Sequence, residues 1–140
     1  QGKLIKGVKK KLNELKSKGY NLGVITSKNQ ELARKIVSIF EIEHYFDYIM
    51  GETEETKELG KLDPSFKIFF EEKFPKYQII VIGDHPKDVM LSNNLMCPFI
   101  GVLTGNHSAQ ELMNIKKGTI LILKTVRELS ENDINELIKF

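Results

Sequence analysis

A single cysteine, Cys97, occurs in the 140 residues, so the chain cannot close a disulfide on itself. Set just before Pro98 at a strand entrance, that thiol reads as packing. No apolar run approaches the ~20 residues a membrane-spanning helix needs, and no signal-peptide pattern is present. A cytoplasmic location is the expectation. An excess of one charge is missing too. Lys and Arg number 21 and Asp and Glu 19, a net +2, which makes no electrostatic case for nucleic acid or a membrane surface. No two histidines have metal-ligand spacing, and no Ser/His/Asp or Cys/His set is recognisable. Repeats, linkers and low-complexity segments are absent as well. What is there is 41% hydrophobic and 29% charged, enough chain for one domain, residues 1–140, with a proper core.

The most informative stretch is Ile79–Asp88, reading Ile-Ile-Val-Ile-Gly-Asp-His-Pro-Lys-Asp. Its apolar β-branched run predicts a strand buried on both faces. Gly83 permits a tight turn, and Pro86 suits a first helical turn. Asp84 and Asp88 are four apart across that start, so a helix there leans both carboxylates toward one point. Such a pair suits a hard cation such as Mg²⁺. An alternative is open at this stage: Asp84 caps the helix, and Asp88 suits the positive end of its dipole.

Taken in order, Val8, Leu12 and Leu15 share one face of a helix over Leu4–Lys18, closed by Gly19. Leu22–Thr26 reads as a short buried strand. Ser27 with Gln30 predicts a capping box for a helix to Phe40. Tyr48–Met50 is a second strand, and Glu52–Glu58 an acidic loop. Asp63-Pro64 opens a helix that Pro75 stops. Ile79–Ile82 is the third strand, followed by a helix over Pro86–Asn94. Phe99–Val102 is the fourth strand. Ser108 with Glu111 caps a helix to Lys116, Ile120–Leu123 is the fifth strand, and Ser130 with Asp133 opens a last helix.

Strands alternating with helices predict an α/β fold, a mostly parallel sheet covered on both faces. Ligands of such sheets sit beyond the carboxyl ends of the strands. Thr26 ends the first strand there, where its hydroxyl suits a phosphate oxygen. Lys61 precedes the helix opened by Asp63. Together with Asp84 and Asp88, these groups would neutralise a phosphoryl group. Taken singly, Thr26 reads equally as strand-end packing and Lys61 as a solvated charge. His85 and His107 read as exposed turn or surface histidines, and His44 as lying at the core's edge. Asp47, ahead of a strand, reads as structural.

Val24-Ile25-Thr26-Ser27, Gly60-Lys61-Leu62-Asp63-Pro64 and Gly83-Asp84-x-x-x-Asp88 resemble, in this order, the second, third and fourth motifs of the haloacid dehalogenase-like (HAD) hydrolase superfamily. Leu62 stands where the usual third motif has proline. Gly101-Val102-Leu103-Thr104-Gly105 is similar to the phosphoglycolate-phosphatase-like branch. The resemblance implies a three-layer α/β/α Rossmann-like core and a Mg²⁺-dependent phosphatase of a small phosphorylated metabolite. Thr26 and Lys61 would bind phosphate, and Asp84 and Asp88 the metal.

One departure weighs against catalysis by this chain alone. The family's first motif is Asp-x-Asp, whose first aspartate is the nucleophile. The aspartates here are Asp47, Asp63, Asp84, Asp88 and Asp133, none so spaced. The expectation is a carboxyl-terminal portion without its first strand, nucleophile and cap. The alternative is a non-catalytic HAD-like module used for binding or assembly. Loss of the first strand leaves two open strand edges, which direct pairing of the two strands could relieve, but the expectation is a homodimer or a separate amino-terminal segment.

Overall fold

The structure is a computed structural model that describes residues 7–52, 63–75 and 78–138. The chain divides into two compact units, Gln1–Glu58 and Leu59–Phe140.

In the first unit, helix α1 (Val8–Ser17) presents Leu12 and Leu15 on one face, as the periodicity predicts. Gly19 ends it with φ +90°, a left-handed conformation that costs glycine nothing. Its N–H donates to Lys16 O and that of Tyr20 to Leu15 O (3.0 and 3.2 Å), the bond pair of a Schellman motif. Strand β1 (Gly23–Asn29), helix α2 (Gln30–Ile39) and strand β2 (Tyr48–Glu52) follow, with a short 3₁₀ turn at Glu43–Tyr45. β1 and β2 pair in parallel from Gly23↔Tyr48 to Ile25↔Met50, then shift register before Asn29↔Glu52. Ala33, Val37, Ile42 and Ile49 are buried together.

The start of α2 departs from expectation. The strand does not stop at Thr26 but runs on to Asn29, so Ser27 is strand and no Ser27–Gln30 capping box forms. Asn29 is the cap instead, its Oδ1 accepting from Leu32 N–H at 2.8 Å. Gln30 is released for a longer reach. Its side chain donates to Ile49 O (2.7 Å) and accepts from Gly51 N–H (2.6 Å), tying α2 to the end of β2.

Asp47 is structural, as its place before a strand implied. Lys16 Nζ donates to both its oxygens (2.6 and 2.5 Å), and Leu22 N–H donates to Oδ2 at 2.7 Å. The Lys16 hydrogen bond holds its carboxyl below the usual aspartate range, with Leu22 N–H adding to it. His44 is exposed and rests against Tyr45, ring centroids 4.0 Å apart.

The second unit contains α3 (Pro64–Lys73), β3 (Val81–Gly83), α4 (Pro86–Asn94), β4 (Phe99–Val102), α5 (Ala109–Ile115), β5 (Ile120–Leu123), a 3₁₀ turn and α6 (Glu131–Leu137). Its sheet runs β3-β4-β5, all parallel. An α/β fold built on parallel strands is thus observed. Central β4 is buried at every residue, and its Phe99 is buried together with Val89 of α4 and Leu112 of α5. Withdrawing a side chain of that size from water contributes about 1.5–3 kcal/mol.

β3 corrects one expectation. It pairs only with β4 among the described residues, and Ile82 is 40% exposed, so the strand is not buried on both faces. The capping signals read from Asp63, Ser108 and Ser130 are all realised. Asp63 Oδ1 accepts from Ser65 N–H (2.8 Å), while Ser108–Glu111 and Ser130–Asp133 are complete capping boxes. Asn93 joins the ends of α4 and α5, donating to Ile115 O (3.0 Å) and accepting from Lys117 N–H (2.9 Å). No helix among the described residues is long and apolar enough to cross a membrane.

Candidate functional site

The parallel ladder of the second unit brings the ends of β3 and β4 to one edge, where Gly83 pairs with Gly101. The chain then leaves β3 through Asp84 and His85 and enters α4 at Pro86. With proline at the first helical position, residue 85 is the cap, and a histidine takes the role usual for serine or aspartate. His85 Nδ1 accepts from Lys87 N–H (3.0 Å), and Asp88 Oδ2 accepts from His85 N–H (3.3 Å), closing a capping box. The alternative open at the level of sequence is therefore half realised. Asp88 serves the helix start, but Asp84 does not cap it.

Asp84 is half-buried and makes no hydrogen bond or ion pair among the described residues. Its carboxylate lies against Gly105, beyond β4. A β-carbon at Gly105 would stand 2.6 Å from Asp84 Oδ2, and one at Gly83 would stand 2.6 Å from Asp88 Cβ. Both carboxylates occupy space that only glycine leaves. As a donor set they fit a hard cation of the Mg²⁺ type, which takes one or two carboxylates and keeps several waters. Among the described residues no three His, Cys, Asp or Glu side chains converge as a closed metal cage.

The same loop carries His107, whose ring centroid is 4.8 Å from that of His85 at an interplanar angle of 74°. His107 Nδ1 bonds Glu111 Oε2 at 3.0 Å. That bond, with Ser108 N–H, holds the Glu111 carboxyl below its usual range. The sequence treated both histidines as solitary surface groups. Only the parallel register of β3 and β4 brings their loops together.

In the first unit Thr26 is half-buried in β1, at the point where the ladder changes register. Its Oγ1 accepts from Lys28 N–H at 3.2 Å, which leaves the hydroxyl proton available. Lys61 lies outside the described residues.

A sequence model of the haloacid dehalogenase-like hydrolases matches residues 1–102, well over half of the chain. The chain belongs to the haloacid dehalogenase-like hydrolase family. Among its HAD-like relatives, the protein provisionally named pyrophosphatase PpaX from Caldanaerobacter subterraneus subsp. tengcongensis is 34% identical over 88 residues, 63% of this chain and 40% of that protein. A phosphoglycolate phosphatase from Pasteurella multocida is 29% identical over 104 residues, 73% of this chain and 46% of that enzyme. The crystal structure of a predicted phosphatase from Clostridium acetobutylicum superposes with a TM-score of 0.78 at 32% identity, covering 96% of this chain and 61% of that one. The chain thus spans about half the length of the curated relatives it matches.

Proposed function

We propose that this chain is the phosphate- and metal-binding portion of a Mg²⁺-dependent HAD phosphatase acting on small phosphomonoesters. The observation that carries the reading is the half-buried Asp84 carboxylate. It has no partner among the described residues, stands at the carboxyl edge of a parallel sheet, and has room only because residue 105 is glycine. Asp84, with Asp88, holds the cation, which neutralises phosphoryl charge when bound. Within the second unit Lys61 is the proposed ammonium for the phosphoryl charge, and in the first unit Thr26 is a proposed phosphate-binding hydroxyl, its proton free to be donated. Gly83 and the His85 cap fix the course of the chain between the two aspartates. The relatives named for phosphoglycolate and pyrophosphate hydrolysis support a small, anionic substrate.

Covalent catalysis needs an attacking carboxylate, and the sequence has no Asp-x-Asp to supply one. The isolated chain is therefore expected to release negligible phosphate. The test is orthophosphate release from a panel of phosphomonoesters, with the chain alone and with an added amino-terminal segment bearing Asp-x-Asp. The reading expects Mg²⁺-dependent turnover only with the segment, reduced at least about 10²-fold by Asp84→Asn. Turnover indifferent to Mg²⁺ or to Asp84→Asn would contradict it.

A further inference from the structure

His85 and His107 reach one another from different loops, and their ring nitrogens are not equivalent. A backbone N–H can only donate, so the Lys87 bond leaves a lone pair on His85 Nδ1 and places the neutral ring's proton on Nε2. Glu111, ionised, can only accept, so His107 Nδ1 carries a proton and that ring is held in place by the carboxylate. The edge-to-face contact of the two rings in turn restricts rotation of the His85 imidazole. His85 Nε2–H thus has a fixed direction and no hydrogen-bond partner among the described residues. It follows Asp84 directly, and Asp84 lies against Gly105, two residues before His107.

We propose that His85 Nε2–H is a specificity-determining donor for an oxyanion on the leaving group of the phosphoryl substrate, with His107 and Glu111 as the residues that position it. The proposal rests on the phosphatase reading above and adds what that reading leaves open, the chemical class of the leaving group. A substrate whose leaving group carries an oxyanion brings more negative charge than a cation already shared by two carboxylates neutralises, so it needs a further donor nearby. Asp84 and His85 are consecutive and meet the same loop, at Gly105 and at His107, and His85 carries a side-chain N–H with no hydrogen-bond partner among the described residues, so the leaving group of a phosphoryl held through Asp84 is assigned to its side. A carboxylate and a second phosphate both supply such an oxyanion. His107 and Glu111 lie beyond the residues that the family's sequence model matches.

The test is calorimetric titration of the chain, in Mg²⁺, with orthophosphate, pyrophosphate and 2-phosphoglycolate. One charge-assisted hydrogen bond makes the probe that finds His85 bind about tenfold more tightly than orthophosphate. His85→Asn keeps a side-chain acceptor for the cap but removes the ring N–H. It is expected to abolish that preference while orthophosphate affinity and the melting temperature hold. His107→Phe, which keeps a ring against His85 but loses the Glu111 bond that holds it, is expected to weaken the preference, and His107→Ala to weaken it further. Whether pyrophosphate or 2-phosphoglycolate shows the preference identifies the oxyanion. Orthophosphate binding without any preference, or a preference that survives His85→Asn, overturns the donor role alone. Absence of orthophosphate binding by the folded chain overturns the phosphatase reading and this proposal with it.

Discussion

Alanine at Gly83 and alanine at Gly105 both intrude on an aspartate, and the structure separates their consequences. At Gly83 the new β-carbon would stand 2.6 Å from both Cβ and Cγ of Asp88, far inside the ~3.5–4.0 Å at which carbon atoms rest. Asp88 Cβ is anchored in the first turn of α4, so no side-chain rotation relieves the clash, and β3 and α4 must part. Overpacking of this kind costs about 1–3 kcal/mol, and loss of the Asp88 arm of the capping box adds about 0.5–1 kcal/mol. The reduced freedom of the unfolded chain offsets about 0.4–1 kcal/mol of this. The net expectation is a loss of roughly 1–3 kcal/mol. At Gly105 the intrusion falls chiefly on Asp84 Oδ2 (2.6 Å) and Cγ (2.8 Å), with Cβ further off at 3.1 Å, and the side chain has no hydrogen bond to lose. That carboxylate swings aside, and stability changes by less than about 0.5 kcal/mol, while the proposed Mg²⁺ ligand is displaced. Urea unfolding followed by circular dichroism measures the first effect, and Mg²⁺ titration of Gly105→Ala the second. A Gly83→Ala protein as stable as the parent, or a Gly105→Ala protein destabilised as much as Gly83→Ala, would refute this reasoning.

Three further outcomes are expected. Asp47 has its folded pKa lowered by Lys16 and then Leu22 N–H, so its contribution is fully present above the unfolded value of ~3.9 and lost as the pH falls through the folded value. Asp47→Asn should flatten the acid limb of a stability–pH curve below about pH 4, by a small amount because the pair is partly exposed; an unchanged limb contradicts the assignment. Gln30→Ala strips partners from Ile49 O and Gly51 N–H and should cost roughly 1–3 kcal/mol in urea unfolding; a neutral result would show that water replaces the side chain at no cost. Burial pushes the Cys97 thiol up to about 11, so iodoacetamide should modify it far more slowly at neutral pH in the native than in the denatured chain; equal rates would refute burial.

Legibility in the sequence followed the range of the interactions involved. Helix α4 and strands β4 and β5 have their read boundaries because the signals are local: proline at a first turn, and apolar runs bounded by turn residues. The end of β1 is not legible because Ser27, Lys28 and Asn29 are polar, and the Asn29↔Glu52 pairing keeps them in the strand. That extension moved the cap from Ser27 to Asn29 and freed Gln30 for its bridge to β2, a contact no local pattern encodes. Pro86 already implied that residue 85 caps α4; histidine's rarity in that role hid it. The aspartate pair was legible as a pair, but not the division of labour between them. That depends on Gly105 and on the cap, as the meeting of His85 and His107 depends on the β3–β4 register.

An NMR titration of the folded chain with Mg²⁺ tests the proposal that Asp84 and Asp88 hold a magnesium ion at the end of β3. Saturable amide shifts are expected, concentrated at Gly83–Asp88 and at Gly105 and abolished by Asp84→Asn. Shifts confined to residues away from these two segments, or the same shifts in Asp84→Asn, would contradict it.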